Sequence, residues 1–230
     1  MIKLLTEDKI KDFSSFCENR ITAVVIFTNL LTYGINSDDA LFWYSENEQG
    51  IINAVFSLSD SVFLASTQEN SLYDEIKLFS QIVGAQKVSY STADYVMKYV
   101  GGEIYTEDDI TGENVKDAFD VVFEDDENRK SFFAKWYSDI SHKIRHNLIH
   151  GQCIYKDGKC VSVAFTSGET DSIAVISAVS TLREYRNNGF GERVVLSLSQ
   201  SLDKEIYLMT DNENTKKWYE RIGFELKASN

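Results

Sequence analysis

One segment constrains the fold of this chain more than any other, because an apolar strand runs through a short turn into a glycine-containing loop and then a helix. Residues 172–180 are small and β-branched and read as the strand. Residues 186–191 have the sequence Arg-Asn-Asn-Gly-Phe-Gly, and apolar residues then recur at helical spacing. The segment therefore indicates a helix packed on a sheet, in a mixed α/β fold.

A strand that leads into a helix through such a loop is a layout that binds phosphate. The first N–H groups of the helix point toward one place, and the helix dipole adds partial positive charge there. Gly189 and Gly191 permit close approach of the backbone, and Arg186 adds charge-assisted hydrogen bonds. Two familiar phosphate motifs do not match, because Glu192 and Val194 occupy positions that they require. The alternative interpretation is a tight turn that binds nothing.

The remaining patterns repeat one order of elements in both halves of the chain. In each half, two helical stretches precede an antiparallel meander of strands, and a helix and a strand follow. A Lys-Asp-Gly-Lys sequence at residues 156–159 marks a hairpin in the second half. We therefore predict an α+β (mixed α/β) fold of two lobes, residues 1–115 and 116–230.

Charge narrows the classes of ligand. The net charge of −13 argues against a nucleic-acid partner and against an anionic membrane surface. Residues 1–120 hold 8 Lys/Arg and 20 Asp/Glu, whereas residues 121–230 hold 15 and 16, so the second half is the better place for a phosphate-bearing ligand.

The three cysteines lack CxxC spacing, and no apolar run approaches the ~18–20 residues of a membrane span, so we expect reduced thiols and a cytoplasmic protein.

A second segment lies near the end of the chain. Residues 205–210 read as a strand, residues 211–214 break it, and a short helix leads to a final strand. Within it, Asn212 precedes Tyr219 by seven residues, and Glu-Arg-Ile-Gly-Phe comes directly after the tyrosine.

Together the two segments resemble the GNAT superfamily of N-acetyltransferases. The acetyl-CoA loop of that family reads Arg/Gln-x-x-Gly-x-Gly/Ala, and its C-terminal signature is an Asn seven residues before a Tyr, then Glu-Lys/Arg-x-Gly-Phe. The resemblance covers residues 120–230, whereas residues 1–115 share only the order of elements. The sequence departs from the family where Arg183 replaces a frequent Pro, and where Asn187 and Asn188 replace a frequent Gly-Lys pair.

The resemblance implies a GNAT-like central, mostly antiparallel sheet flanked by helices, with a catalytic second lobe. It implies acetyl-CoA as the co-substrate, and an amine that attacks the thioester directly. Backbone groups of Val179 and Thr181 would hold the pantetheine arm, and the loop would hold the pyrophosphate. The cofactor-binding residues implied in this way are Val179, Thr181, Arg186, Asn187, Asn188, Gly189, Phe190, Gly191 and Asn212.

Tyr219 matches the family residue that assists the departing thiolate, and its alternative role is that of a packing aromatic. No carboxylate lies on the strand of residues 174–180. Glu169 and Asp171 lie just before it and Glu184 just after it, but each is more typical of a solvated turn, so the general base is unassigned.

We expect no metal. His142, His146 and His150 have helical spacing, but Lys143 stands where a zinc-protease motif needs Glu, and a polar helix face explains the three histidines. Cys153 and Cys160 flank the predicted hairpin and are expected to be buried thiols.

Three functions fit these observations. The first is an acetyl-CoA-dependent N-acetyltransferase whose acceptor is a small-molecule or peptide amine. The second is a non-catalytic acetyl-CoA-binding or protein-interaction module, which the missing base favours. The third is a nucleotide or phosphosugar binder that uses the same loop. The first lobe lacks the loop sequence, so we expect it to bind no CoA.

Overall fold

A computed structural model of the chain describes residues 1–18, 20–67, 69–89, 94–112 and 114–227. These residues form two compact units. The first is Met1–Ala93 with Gly168–Ile173, and the second is Asp94–Ser167 with Ala174–Asn230. The expected lobe boundary after residue 115 falls within the second unit.

The first unit is a five-stranded sheet with three helices. Its elements in chain order are β1 (Ile2–Leu4), α1 (Ile10–Glu18), α2 (Val24–Tyr33), β2 (Ala40–Glu46), β3 (Ile52–Ser59), β4 (Val62–Thr67), α3 (Tyr73–Ile82) and β5 (Lys87–Ser89). The strands lie in the order β1-β2-β3-β4-β5. All described pairs are antiparallel except β4 with β5, which is parallel because α3 connects them as a crossover.

Both faces of this sheet are covered, as the alternation of side chains along its strands requires. Phe42 and Tyr44 of β2 pack in a cluster with residues of α1 and α2, whereas Trp43 between them packs on the other face with Ile76 of α3. Burial on both sides is also seen in β3, whose first six residues are all buried.

A short excursion of the later chain, residues 168–173, belongs to the first unit. At Gly168, a Cβ atom would lie 2.8 Å from Thr28 Oγ1 and 3.0 Å from the Val24 carbonyl oxygen, so only glycine permits this approach to α2. The Thr28 hydroxyl accepts from the Glu169 N–H at 3.0 Å, and the Thr170 hydroxyl donates to the Glu18 carbonyl at 3.3 Å.

The second unit is a seven-stranded sheet with four helices. Its elements in chain order are β6 (Tyr95–Tyr99), β7 (Asp108–Asp109), α4 (Val115–Val122), α5 (Arg129–Arg145), β8 (Gly151–Lys156), β9 (Lys159–Glu169), β10 (Ile173–Thr181), α6 (Phe190–Ser201), β11 (Glu205–Thr210), α7 (Glu213–Arg221) and β12 (Phe224–Leu226). The tips of β9 and β10 extend into the excursion of residues 168–173.

The strand order of this sheet is β12-β6-β11-β10-β9-β8-β7, so β6 lies between two strands that come more than 100 residues later in the chain. It pairs antiparallel with both of them, with Met97 opposite Leu208 and also opposite Leu226. Met97 is fully buried in the core cluster, with Val163 of β9, Leu198 of α6 and Phe224 of β12. This central position of β6 places the start of the second unit at residue 94.

In the part of the chain that the structure describes, no helix is both long enough and apolar enough to cross a bilayer.

Candidate functional site

The strand that feeds the glycine loop changes its environment along its length. Residues Ile173–Ile176 of β10 are buried, whereas Ser177 is exposed and the next four residues are half-buried. Val179 and Thr181 lie on this more open half. The strand ends at Thr181, and the next residue, Leu182, is buried and donates its N–H to the Val161 carbonyl of β9 at 2.9 Å. The start of the loop is therefore fixed by the sheet.

The loop adopts left-handed backbone at two positions. Asn187 has a φ of 62° and Gly189 a φ of 80°. Asparagine and glycine are the residues that tolerate this conformation best, so Asn187 preserves the turn at a position where the family often has glycine. The Asn188 side chain donates to the carbonyls of Tyr185 and Arg186 at 3.1 and 3.0 Å, which holds the turn from inside.

The N terminus of α6 has no side-chain cap. Gly189 is its N-cap residue, and its carbonyl accepts the first intrahelical hydrogen bond from Arg193 N–H at 3.0 Å. Helix N-termini leave N–H groups of the first turn without intrahelical partners, and a Ser or Asp cap normally accepts from one of them. Without such a cap, these groups of Phe190 and Gly191 remain donors for an anion.

A cleft of about 590 Å³ lies along this loop. One wall is formed by the end of β10, the loop and the first turn of α6, and the other by α7. Its lining residues are Thr181, Tyr185, Arg186, Asn187, Gly189, Phe190, Gly191, Glu192, Trp218 and Arg221. Six of the residues that the sequence analysis selected for cofactor binding therefore line a single cleft.

Arg186 lines the cleft, but its guanidinium group is already engaged. Its Nε donates to the Thr181 carbonyl at 2.9 Å. Its terminal nitrogen lies 3.7 Å from carboxylates of both Glu124 and Asp125, in the connection between α4 and α5. Positive charge paired in this way is less available to an anion than the charge of an unpaired arginine.

Asn212 is the N-cap of α7. Its side-chain oxygen accepts from the N–H groups of Asn214 and Thr215 at 2.9 and 3.0 Å. This fixes the direction in which the helix leaves β11, and it leaves the amide nitrogen of Asn212 as the only atom of that group that could donate to a cofactor.

Tyr219 is nearly buried, with 7% of its surface exposed. Its ring contacts Trp218 and Phe224 at centroid distances of 4.7 and 5.3 Å. Burial raises the pKa of its hydroxyl to about 12, so the phenol stays neutral at physiological pH and keeps its proton as a hydrogen-bond donor. A thiol has a pKa of about 8.5, so full proton transfer from this phenol to a thiolate is uphill and donation of a hydrogen bond is the favoured form of assistance.

The three carboxylates considered as general bases differ in environment. Glu169 is buried and lies in the excursion that belongs to the first unit. Asp171 is exposed at the turn after it. Glu184 lies on the surface and pairs with Lys159 at 2.6 Å.

The histidines and two of the cysteines lie in different environments. α5 ends at Arg145, and the rings of His142 and His146 lie at a centroid distance of 4.3 Å, while His150 lies beyond the helix. A hydrogen bond with Cys160, together with burial, raises the pKa of the Cys153 thiol, which keeps it protonated. Among the described residues, no group of three or more His, Cys, Asp or Glu side chains is placed to hold a metal ion.

Four residues that line the cleft were not predicted from the sequence: Tyr185 and Glu192 flank the loop, and Trp218 and Arg221 come from α7. The spacing of three residues between Trp218 and Arg221 places both on one face of a helix, but nothing local in the sequence shows that this face meets the loop.

The fold of the chain is similar to that of solved GNAT proteins. Among solved structures, 92 chains match. A tandem GNAT protein from the clavulanic acid biosynthesis pathway is 11% identical, with a TM-score of 0.60 over 98% of this chain and 95% of its own. A GCN5-related N-acetyltransferase from Sphaerobacter thermophilus is 14% identical, with a TM-score of 0.58 over 99% and 92%. At these identities the likeness concerns the fold, and it includes the first unit.

At the level of sequence, residues 155–230 match the family described as FR47-like protein. That segment contains the glycine loop and α7. The resemblance to the GNAT superfamily and the predicted fold class are therefore confirmed. A search of curated proteins finds no match to this chain.

Proposed function

We propose that this protein is an acetyl-CoA-dependent N-acetyltransferase whose chemistry takes place in the second unit. The observation that carries the proposal is the N terminus of α6, which opens through Gly189 onto a 590 Å³ cleft without a capping side chain. An anion-binding helix start beside the open half of β10 suits a ligand with a pyrophosphate and an extended arm.

The residues fit acetyl-CoA as a substrate. Backbone N–H groups of Phe190 and Gly191 bind the pyrophosphate, and the backbone of Val179 and Thr181 on the open half of β10 holds the pantetheine arm. The loop residues Asn187, Asn188 and Gly189 keep the turn that aims those donors. The Asn212 amide nitrogen is the further donor from α7.

The reaction is direct acetyl transfer to a primary amine of a small molecule or peptide. The amine nitrogen forms a bond to the acetyl carbon, the carbon–sulfur bond breaks, and a base takes one amine proton. A backbone N–H near Val179 stabilises the charge that develops on the carbonyl oxygen. Tyr219, kept neutral by burial, donates a hydrogen bond to the departing sulfur.

The test combines binding and turnover. Calorimetry is expected to show that acetyl-CoA binds, and ATP is expected not to displace it, which separates this function from a general nucleotide site. A panel of polyamines, aminoglycosides and peptide amines, assayed by detection of free thiol, is expected to show turnover with at least one acceptor. No acetyl-CoA binding at millimolar concentration would overturn the proposal.

A non-catalytic acetyl-CoA-binding module is the second candidate. It is favoured by the state of the carboxylates near β10, since Glu184 is paired with Lys159 and Glu169 is buried. This function predicts acetyl-CoA binding without thiol release in the presence of any amine of the panel.

A further inference from the structure

The wall of the cleft that faces the loop combines an aromatic ring with a positively charged side chain. It consists of Trp218 and Arg221, which are three residues apart on α7 and therefore share a face of that helix. Neither residue belongs to the loop that the sequence pattern connects with phosphate. Together they present a flat aromatic surface and a positive charge on the opposite side of the same 590 Å³ space.

Trp218 lies directly against the phosphate loop. A Cβ atom at Gly191 would be 3.8 Å from Cζ2 of the indole, which is ordinary van der Waals contact, so the ring borders the backbone of the loop. The indole is half-buried and is held by the Tyr219 ring at 4.7 Å. An aromatic ring fixed in this way beside phosphate donors can stack on a base that is attached to those phosphates.

Most cations around the loop are neutralised by carboxylates. Arg183 pairs with Asp125 at 2.9 Å, and Arg193 pairs with Glu107 at 2.7 Å. Arg186 is held between Glu124 and Asp125.

Arg221 differs from these cations. Among the described residues, no carboxylate lies within 4 Å of its guanidinium group, and it is exposed at the end of α7. Glu192 lines the same cleft and repels an anion, so a phosphate that binds there needs a cation to offset it. Arg221 is the cleft-lining cation that remains available for that purpose.

We propose that Trp218 and Arg221 form a subsite for the nucleotide end of CoA, in which Trp218 stacks on the adenine and Arg221 binds the 3′-phosphate. This inference rests on the proposed function. It assigns the charge-based part of cofactor recognition to α7, while the loop supplies neutral backbone donors for the pyrophosphate. The site therefore distinguishes CoA thioesters from analogues that lack the 3′-phosphate.

The test measures binding by calorimetry for acetyl-CoA and for acetyl-3′-dephospho-CoA. The wild-type protein is expected to bind the dephospho analogue about tenfold more weakly, the size of a charge-assisted hydrogen bond. Arg221→Gln is expected to bind acetyl-CoA about tenfold more weakly and to bind the dephospho analogue as the wild type does. Lys217→Gln is the matched control, because it removes one charge from the same helix at a residue outside the cleft that pairs with Glu213 at 3.6 Å.

Trp218 is tested with the same two ligands. Trp218→Leu is expected to weaken both equally, about tenfold, and Trp218→Phe to restore most of the affinity, because base stacking needs a ring and not an indole.

Three outcomes would overturn the inference. If Arg221→Gln weakens both ligands equally, Arg221 binds the pyrophosphate and not the 3′-phosphate. If Arg221→Gln and Trp218→Leu bind acetyl-CoA like the wild type, α7 takes no part in recognition while the proposed function stands. If the wild-type protein does not bind acetyl-CoA at all, the proposed function fails together with this subsite.

Discussion

The two units share a strand–helix–strand crossover and differ in the residues that open its helix. In the first unit β4 leads through a short 3-10 turn into α3, whose first turn carries the acidic residues Asp74 and Glu75. In the second unit β10 leads into α6 through the left-handed Gly189, and the first turn carries only Glu192. Neither helix start has a side-chain cap, so the difference lies in charge and backbone: α3 carries two carboxylates in its first turn, whereas α6 carries one and begins at a left-handed glycine. A few connecting residues, and not the shared topology, therefore set the charge and the backbone geometry at the start of each helix.

The units also differ in the elements that the chain adds after the crossover. In the first unit the described sheet ends at β5, whereas in the second unit α7 and β12 come after β11, and β6 completes the sheet between β11 and β12. α7 supplies Trp218 and Arg221 to the cleft and also carries Tyr219. The α7 wall of the candidate site thus depends on elements for which the described part of the first unit has no counterpart.

The largest effect is expected from disrupting the close backbone contact between Gly101 and Gly223 in the second unit. Gly223 has a φ of 101°, and a Cβ atom there would lie 1.7 Å from the Gly101 carbonyl oxygen, which is a backbone atom that cannot yield. Gly223→Ala is therefore expected to lower the free energy of unfolding of the second unit by about 4 kcal/mol. Differential scanning calorimetry is expected to show one transition moved down and the other unchanged.

Gly158→Ala serves as its control. Gly158 has a φ of 78° in the β8–β9 turn, with no atom within 4 Å of the added Cβ, so only the backbone cost of about 1 kcal/mol applies. Equal losses in the two variants would show that the contact between residues 101 and 223 does not hold the second unit together.

The second effect tests the glycine loop directly. Gly189→Val forces a β-branched residue into a φ of 80° and places a side chain where phosphate must approach, so acetyl-CoA affinity is expected to fall about 150-fold, the loss of one to two charge-assisted hydrogen bonds. Gly84→Val in the first unit imposes the same strain, at a φ of 78° after α3, and is expected to leave binding at one acetyl-CoA per chain. Two bound acetyl-CoA molecules per chain, or normal acetyl-CoA affinity in Gly189→Val, would contradict the prediction that only the glycine loop of the second unit binds the cofactor.

The order of elements in the two units and the position of the glycine loop could be predicted from the sequence, because the patterns that encode them are local. The order of helices and strands in both halves is encoded in periodicity, and the loop at residues 186–191 is a contiguous pattern with its helix directly after it. Asn187 shows why a departure from the family pattern need not change the fold, since asparagine adopts the left-handed backbone that the turn requires.

The features that escaped prediction depend on residues far apart in the chain. β6 has only five residues, and its partners in β11 and β12 lie more than 100 positions later, so nothing near it indicates a central strand. The pairing of Arg186 with Glu124 and Asp125 joins two connections about 60 residues apart, so the sequence alone made this cation look available. For Tyr219 the motif predicts the position, but only tertiary burial raises its pKa.

The third effect separates catalysis from binding within the second unit. Tyr219→Phe keeps the ring and its contacts with Trp218 and Phe224, and it removes only the hydroxyl. Turnover is expected to fall about 10²-fold while acetyl-CoA affinity changes little, because the hydroxyl acts on the departing sulfur. Tyr207→Phe is the control. Tyr207 is another buried tyrosine, and its hydroxyl donates to Glu205 at 2.6 Å, at the end of β11 that is farther along the chain from α7. Unchanged turnover in Tyr219→Phe would leave Tyr219 as a packing aromatic.

The smallest effect distinguishes the two roles of Asn212. Its side-chain oxygen caps α7, so Asn212→Ala is expected to cost about 1 kcal/mol of unfolding free energy and to weaken acetyl-CoA binding as the helix start frays. Asn212→Asp retains the capping oxygen and loses only the amide donor, so it is expected to unfold like the wild type while acetyl-CoA affinity falls severalfold, about the worth of one hydrogen bond. Chemical denaturation and calorimetry on both variants provide the two readouts. If Asn212→Asp matches the wild type in both, Asn212 serves the cofactor site only by fixing the direction of α7, and the Asn that the family signature shares is here a helix cap.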